Sequence, residues 1–246
     1  SITIPFGSGL TLASSSSGAA TEKSMPIWLR RLIRLGEVDA NTILSSEFNV
    51  HSPARHMIGG VMEKIYYCDI KTPLGDIWSA TSAKGLLRLN LPCKETTFLE
   101  ELGRKIDGEP EYRPGKLDDL SLWLEDYFKG EKSTYNEPFD MRGTLFQRRV
   151  WEEISKIPYG RLTSYGLIAR SMGKPNASRA VGNAVGQNPL SIVVPCHRVV
   201  WSNGGIGGFG GGLDRKRFLL NLEGVLPSAE DGAEKGIDLS RYFYNR

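Results

Sequence analysis

The sequence predicts an α+β fold: a small N-terminal domain with a three-stranded sheet and helices, followed by a mainly helical domain. Three observations carry this. Short apolar and β-branched runs separated by turn residues fill positions 64–91, whereas apolar residues recur at helical spacing from 144 onward. Strands grouped before helices are the α+β pattern. Charge divides near the same place, with 12 Lys/Arg against 4 Asp/Glu over 141–223, but 11 against 16 over 62–140. Finally, Val193-Val194-Pro195-Cys196-His197-Arg198-Val199-Val200 sets a Cys-His pair between two β-branched pairs, which read as buried strand interrupted at the proline.

Four segments follow: an extension over 1–61, the α+β domain over 62–140, the helical domain over 141–227 and a tail over 228–246. In the extension, Ser14–Ala20 is Ser/Gly/Ala-rich and reads as flexible. Met25–Gly36 reads as a short basic amphipathic helix, which fits either a membrane surface or partner, or packing on its own protein. Met62 is a candidate original initiator, with a leader or appended segment before it.

The three strands are expected at Lys64–Ile70, Asp76–Thr81 and Gly85–Leu91, with helices at Thr97–Ile106 and Leu117–Phe128, the latter stopped by Gly130. Phe146, Val150, Trp151 and Ile154 mark the next helix. Two short helices then have helix-turn-helix spacing: Tyr165–Met172, capped by Thr163-Ser164, and Arg179–Gln187, capped by Ser178. On the second, Val181, Ala184 and Val185 share one face, and Arg179, Gly182, Asn183, Gly186 and Gln187 the other. A glycine inside a helix costs about 1 kcal/mol relative to alanine, so two on an outer face fit a helix whose backbone must approach a partner closely. Asn203–Gly212 is a glycine-rich loop without the Lys-Ser/Thr ending of a phosphate loop. Asp214–Leu222 is a helix carrying Arg215, Lys216 and Arg217.

The 246 residues carry a net charge of +3, with 40% hydrophobic and 24% charged residues, and no apolar run reaches the length of a membrane span. Cys68, Cys93 and Cys196 are odd in number and far apart, which argues against a disulfide framework and a cysteine-rich zinc site and points to a reducing cytoplasm. Cys68 and Cys93 have no nearby base and read as structural. The basic half fits either a polyanion partner or a solvated surface. Cys196 with His197 as base is a candidate nucleophile; the alternative is a buried structural cysteine beside a turn-capping histidine.

The Pro195-Cys196-His197-Arg198-Val199 signature, with the helix pair, the glycine loop and Leu222-Glu223-Gly224, resembles the O6-alkylguanine-DNA alkyltransferases over about residues 62–226. The resemblance implies single-turnover, irreversible transfer of an alkyl group from guanine O6 to Cys196, with His197 taking the thiol proton through a water, Glu223 orienting His197, and Asn188 holding the active-site turn. It implies a base pocket of Tyr165, Val199, Phe209 and Gly210. Tyr165 donates to purine N3 and crowds the phosphate, Phe209 lines the pocket, and the Gly210 amide points at O6. Ser164, Arg179, Ala180, Gly182, Asn183 and Gly186 would face the minor groove of double-stranded DNA, Arg179 filling the gap left by the flipped base. The family often has Tyr and Ser where Phe209 and Gly210 stand here. A monomer with no metal, no cofactor and no membrane is expected. Two other classes compete: a lesion-sensing helix-turn-helix protein, which leaves Cys196 and Glu223 unexplained, and a Cys-His hydrolase, for which no acyl pocket is evident.

Overall fold

The computed structural model describes residues 63–131, 134–226 and 239–244. The flexible stretch, the amphipathic helix and the initiator candidate expected in the extension, and most of the tail, lie outside them.

A four-stranded sheet opens the described chain: β1 (Glu63–Thr72), β2 (Gly75–Ser82), β3 (Gly85–Asn90) and β4 (Gly108–Tyr112), in the order β3-β2-β1-β4. The first three pair antiparallel, and β4 pairs parallel with β1. The expected three strands are present; the fourth is an addition. Gly-Glu-Pro-Glu-Tyr has neither alternation nor a buried face, and its proline suits only an edge. It docks because Gly108 is bare: a Cβ there would fall 2.8 Å from Cγ1 of Ile65. Between β3 and β4 runs α1 (Glu95–Lys105), which buries Phe98, Leu99 and Leu102. Helix α2 (Asp118–Phe128) buries Leu120, Leu124 and Tyr127.

Helix α3 (Leu145–Ser155) starts with a capping box between Thr144 and Gln147 and buries Val150, Trp151 and Ile154. The Trp151 indole donates to the Ala184 carbonyl at 2.8 Å, fastening α3 to α5. The helix pair is present as α4 (Tyr165–Ser171) and α5 (Ser178–Gly186). Ser164 caps α4 through Leu167 N, whereas Ser178 lies inside α5, whose N-cap Ala177 offers no side-chain bond. The last helix is α6 (Leu213–Leu222).

Only one of the two valine pairs is strand. Val199–Val200 forms β6 and pairs parallel with β5 (Thr163–Ser164). Val193-Val194 is turn, because Ile192 adopts φ +71°. A β-branched residue there is strained by about 1–3 kcal/mol, and it is held by its own burial and by Val194 N donating to Leu190 O at 2.8 Å. The edge of β3 meets the chain just before this turn: Leu89 N donates to Pro189 O at 2.8 Å, and Ser191 N to Leu89 O at 3.2 Å. One apolar core, from Ile77 and Leu86 in the sheet to Val150, Val181 and Leu219 in the helices, runs behind the site.

Candidate active site

Cys196 opens a short 3-10 turn, Cys196–Arg198, and is 7% exposed at the floor of a cleft of about 770 Å³. Asn188 braces the approach to it, donating to Val194 O at 2.7 Å and accepting from Leu190 N at 3.0 Å.

Behind the cysteine the polar groups are closely matched. His197 is fully buried, with Nε2 2.7 Å from Oε1 of Glu223. An ionised carboxylate only accepts, so Nε2 carries the hydrogen and Nδ1 is left as acceptor. Nδ1 is buried without a hydrogen-bond partner among the described residues. Arg198 donates to both Glu223 oxygens, from Nε to Oε2 at 2.9 Å and from Nη2 to Oε1 at 2.9 Å. The Tyr127 hydroxyl donates to Oε1 at 2.8 Å and Gly160 N to Oε2 at 3.1 Å.

Burial works to raise the Glu223 pKa, but His197 and Arg198 overcome it and bring the carboxyl down to about 2. Burial keeps His197 below its ordinary value against the pull of Glu223. Burial also pushes the Cys196 thiol up, with Asn188 and Lys216 opposing. The resting thiol is therefore protonated, and acting as a nucleophile would require it to give its proton to a base such as the neutral imidazole.

The structure brings most expected site residues to one cleft. Tyr165, Phe209, Gly210, Arg179, Gly182, Asn183, Gly186, Asn188 and Cys196 all line it. Val199 does not: its side chain is wholly buried behind the wall. Ala180 is exposed outside the cleft, and Ser164 is fully buried, capping α4 and accepting from Ser202 Oγ at 3.1 Å. Cys93 also lines the cleft, its thiol pushed up by burial, whereas Cys68 is buried in the sheet and pushed up to about 11.

Four residues at the site were missed from sequence. Arg198 clamps Glu223. Tyr127 reads as an ordinary core aromatic at helical spacing from Leu120 and Leu124. Trp201, 54% exposed on the cleft rim, sits 5.3 Å from the Tyr165 ring. Lys216 is no surface cation; it is fully buried, with Nζ donating to Val199 O at 2.7 Å and Gly208 O at 3.3 Å. Its spacing from Leu219 and Leu220 put it on the apolar stripe of α6, a legible signal. Burial lowers its pKa to about 8, and the attraction between the ammonium and a Cys196 thiolate opposes that. Lys216→Met should therefore slow thiolate chemistry at pH 7 by about tenfold or more, the value of 1.4 kcal/mol, with partial recovery at alkaline pH; rates of thiol alkylation by a small electrophile across pH 6–10 check this.

Fold and site together define a protein with a buried cysteine at a cleft, backed by an imidazole–carboxylate pair. Residues 65–141 match the 6-O-methylguanine DNA methyltransferase ribonuclease-like domain, and residues 145–225 the DNA binding domain of the same family. The methylated-DNA--protein-cysteine methyltransferase of Mycobacterium bovis is 43% identical over 159 residues, covering 65% of this chain and 92% of that protein. The enzyme of the same name from Methanosarcina acetivorans is 41% identical over 160 residues, covering 65% and 99%. A crystal structure of Mycobacterium tuberculosis OGT in complex with DNA superposes with a TM-score of 0.54 at 39% identity, covering 64% of this chain and 92% of that one. The chain belongs to the 6-O-methylguanine DNA methyltransferase family.

Proposed function

We propose that this protein repairs DNA directly, moving an alkyl group from guanine O6 to Cys196, once per chain and irreversibly. The observation that carries this reading is the single thiol at the cleft floor with the His197–Glu223 pair behind it. In the transfer, His197 Nδ1 takes the thiol proton through a water, Sγ bonds to the alkyl carbon, and the carbon–O6 bond breaks with its electron pair passing into the purine. Tyr165 donates to N3, and the Gly210 amide faces O6. The thioether has no ready leaving step, so the protein is consumed. The names of its relatives, methylated-DNA--protein-cysteine methyltransferases, support the same reading.

The substrate is double-stranded DNA carrying O6-alkylguanine, approached from the minor groove by α5 of a monomer. Gly186 supports this. A Cβ there would meet nothing within 4 Å, and one at Gly182 only the Tyr165 ring at 3.8 Å, so internal packing requires neither glycine, although Gly182, inside the helix, costs about 1 kcal/mol. A close external partner explains it. Reaching O6 requires the base to leave the stack, at a cost of a few kcal/mol, which phosphate contacts from the basic half and insertion of Arg179 would offset. No helix among the described residues is long and apolar enough to cross a membrane.

Incubation with O6-benzylguanine, followed by intact mass and peptide mapping, tests the reading: one benzyl group per chain on Cys196 is expected. Fully reacted protein with that thiol unmodified would overturn it, as would guanine released in several-fold excess over protein. Arg179→Ala should slow repair of an O6-methylguanine duplex by tenfold or more, on the order of 1.4 kcal/mol, while leaving the rate with free O6-benzylguanine nearly unchanged. Equal losses on the two substrates would remove Arg179 from the flipping step.

A further inference from the structure

Tyr127 lies on α2, in the segment that carries the sheet, far in sequence from the cysteine. Its ring is nearly fully buried, stacked on Trp123 at 5.4 Å and edge-on to Tyr159 at 6.0 Å. The hydroxyl emerges from this aromatic packing at one point, 2.8 Å from Glu223 Oε1 and 3.5 Å from His197 Nε2. The first contact is a hydrogen bond; the second is too long to compete, since Nε2 already donates to the same oxygen at 2.7 Å.

We propose that Tyr127 is a positioning residue for the Cys196–His197–Glu223 relay, holding Glu223 Oε1 in place and sharing its negative charge so that His197 remains a neutral base. This rests on the function proposed above and adds a residue from outside the helical domain.

The electrostatic sense follows from every group that faces the imidazole. From the cap of α6, Glu223 favours the imidazolium. Arg198 on the 3-10 turn and Lys216 on α6 disfavour it, as does burial, the largest effect. Cys196, the proton donor in the reaction, is the neighbouring residue on that turn. Tyr159 faces Glu223 and Arg198 from the loop after α3. Tyr127 itself does not ionise, because burial first, and then the Glu223 charge, hold its pKa well above 10. It therefore acts as a neutral donor at all working pH values. Its hydrogen bond disperses the Oε1 charge that would otherwise hold a proton on His197. Without the hydroxyl, Oε1 attracts the imidazolium more strongly, the His197 pKa rises, and less neutral base is available in mildly acidic solution.

The test is the pH dependence of the single-turnover rate of benzyl transfer from free O6-benzylguanine, which requires no DNA. Tyr127→Phe keeps the ring packing and removes only the donor. Its acid limb should move up by about half a pH unit, a fraction of the worth of a hydrogen bond to a charged group, which lowers the rate on that limb by up to about threefold. Incorporation of 2,3-difluorotyrosine at position 127, which strengthens the donor, should move the limb down and serves if the Phe variant does not fold. Trp123→Phe perturbs the same aromatic packing without touching Glu223; it should alter the melting temperature and leave the limb in place. A limb unmoved in the Tyr127→Phe or fluorotyrosine protein overturns the proposal, whatever happens to stability. Failure of the unsubstituted protein to acquire a benzyl group would instead overturn the function on which the proposal rests.

Discussion

Cys196→Ala is expected to bind alkylated duplex DNA and remove nothing from it. No other thiol can substitute. Cys68 is closed inside the sheet with its pKa pushed up to about 11. Cys93 faces the cleft, but its thiol is raised by burial and the described residues place no histidine behind it. Losing the nucleophile should reduce transfer to background, a change of at least about 10³-fold. The fold should change little, because only the thiol is lost and its neighbours Asn188 and Lys216 keep their carbonyl partners; a small-residue deletion of this kind falls within the ordinary range of about 0.5–3 kcal/mol. Electrophoretic mobility shift with an O6-methylguanine duplex, alongside transfer of labelled methyl to protein, checks both halves. Residual transfer mapped to Cys93 would show that the cleft itself activates thiols.

Glu223→Gln should be costly in both respects. The carboxylate accepts from His197, Arg198, Tyr127 and Gly160 N. An amide retains one acceptor oxygen and turns an N–H toward donors. Arg198, largely buried, would lose its counter-charge, and breaking such a pair costs about 3–5 kcal/mol. Transfer should fall by about 10²–10³-fold, because His197 is no longer held in the tautomer that presents Nδ1 as acceptor. A pH dependence accompanies this. The Glu223 carboxyl titrates at about 2 in the folded protein against an ordinary 4.5, so its stabilising contribution, about 3 kcal/mol, is complete above pH 4.5 and disappears as pH falls from there toward 2. Urea melts at pH 7 and pH 3 should show about 2 kcal/mol of that loss in the unsubstituted protein, beyond whatever decrement Glu223→Gln shows over the same range.

The legible parts of the molecule share one property: their pattern is local. Phe146, Val150, Trp151 and Ile154 announce α3 by spacing alone, the Ser164 cap is explicable within one helix, and the placement of the α5 glycines on one face is read from a single helical segment. What escaped depends on distant partners. β4 exists because Gly108 admits the Ile65 side chain, which its own Gly-Glu-Pro-Glu-Tyr cannot reveal. Val193-Val194 has the composition of a strand, but Ile192 is forced to positive φ by a turn whose hydrogen bonds run back to Leu190 and Ser191. At the site, His197 and Glu223 were recognisable through the family signature. The groups that set their charge were passed over: Arg198 stands in the signature but its grip on Glu223 does not show there, Lys216 betrays itself only by its place on the apolar stripe of α6, and Tyr127 looks like any core aromatic until its neighbour is known.

The ladder between Leu89 and the Pro189–Ser191 segment bears on how far this protein can be trimmed. A fragment starting at residue 141 would keep every atom that reacts with the lesion. It would also leave two main-chain groups unpaired immediately upstream of the nucleophile and remove the phenol that touches Glu223. Any competent repair unit is therefore expected to keep the sheet together with the helical domain.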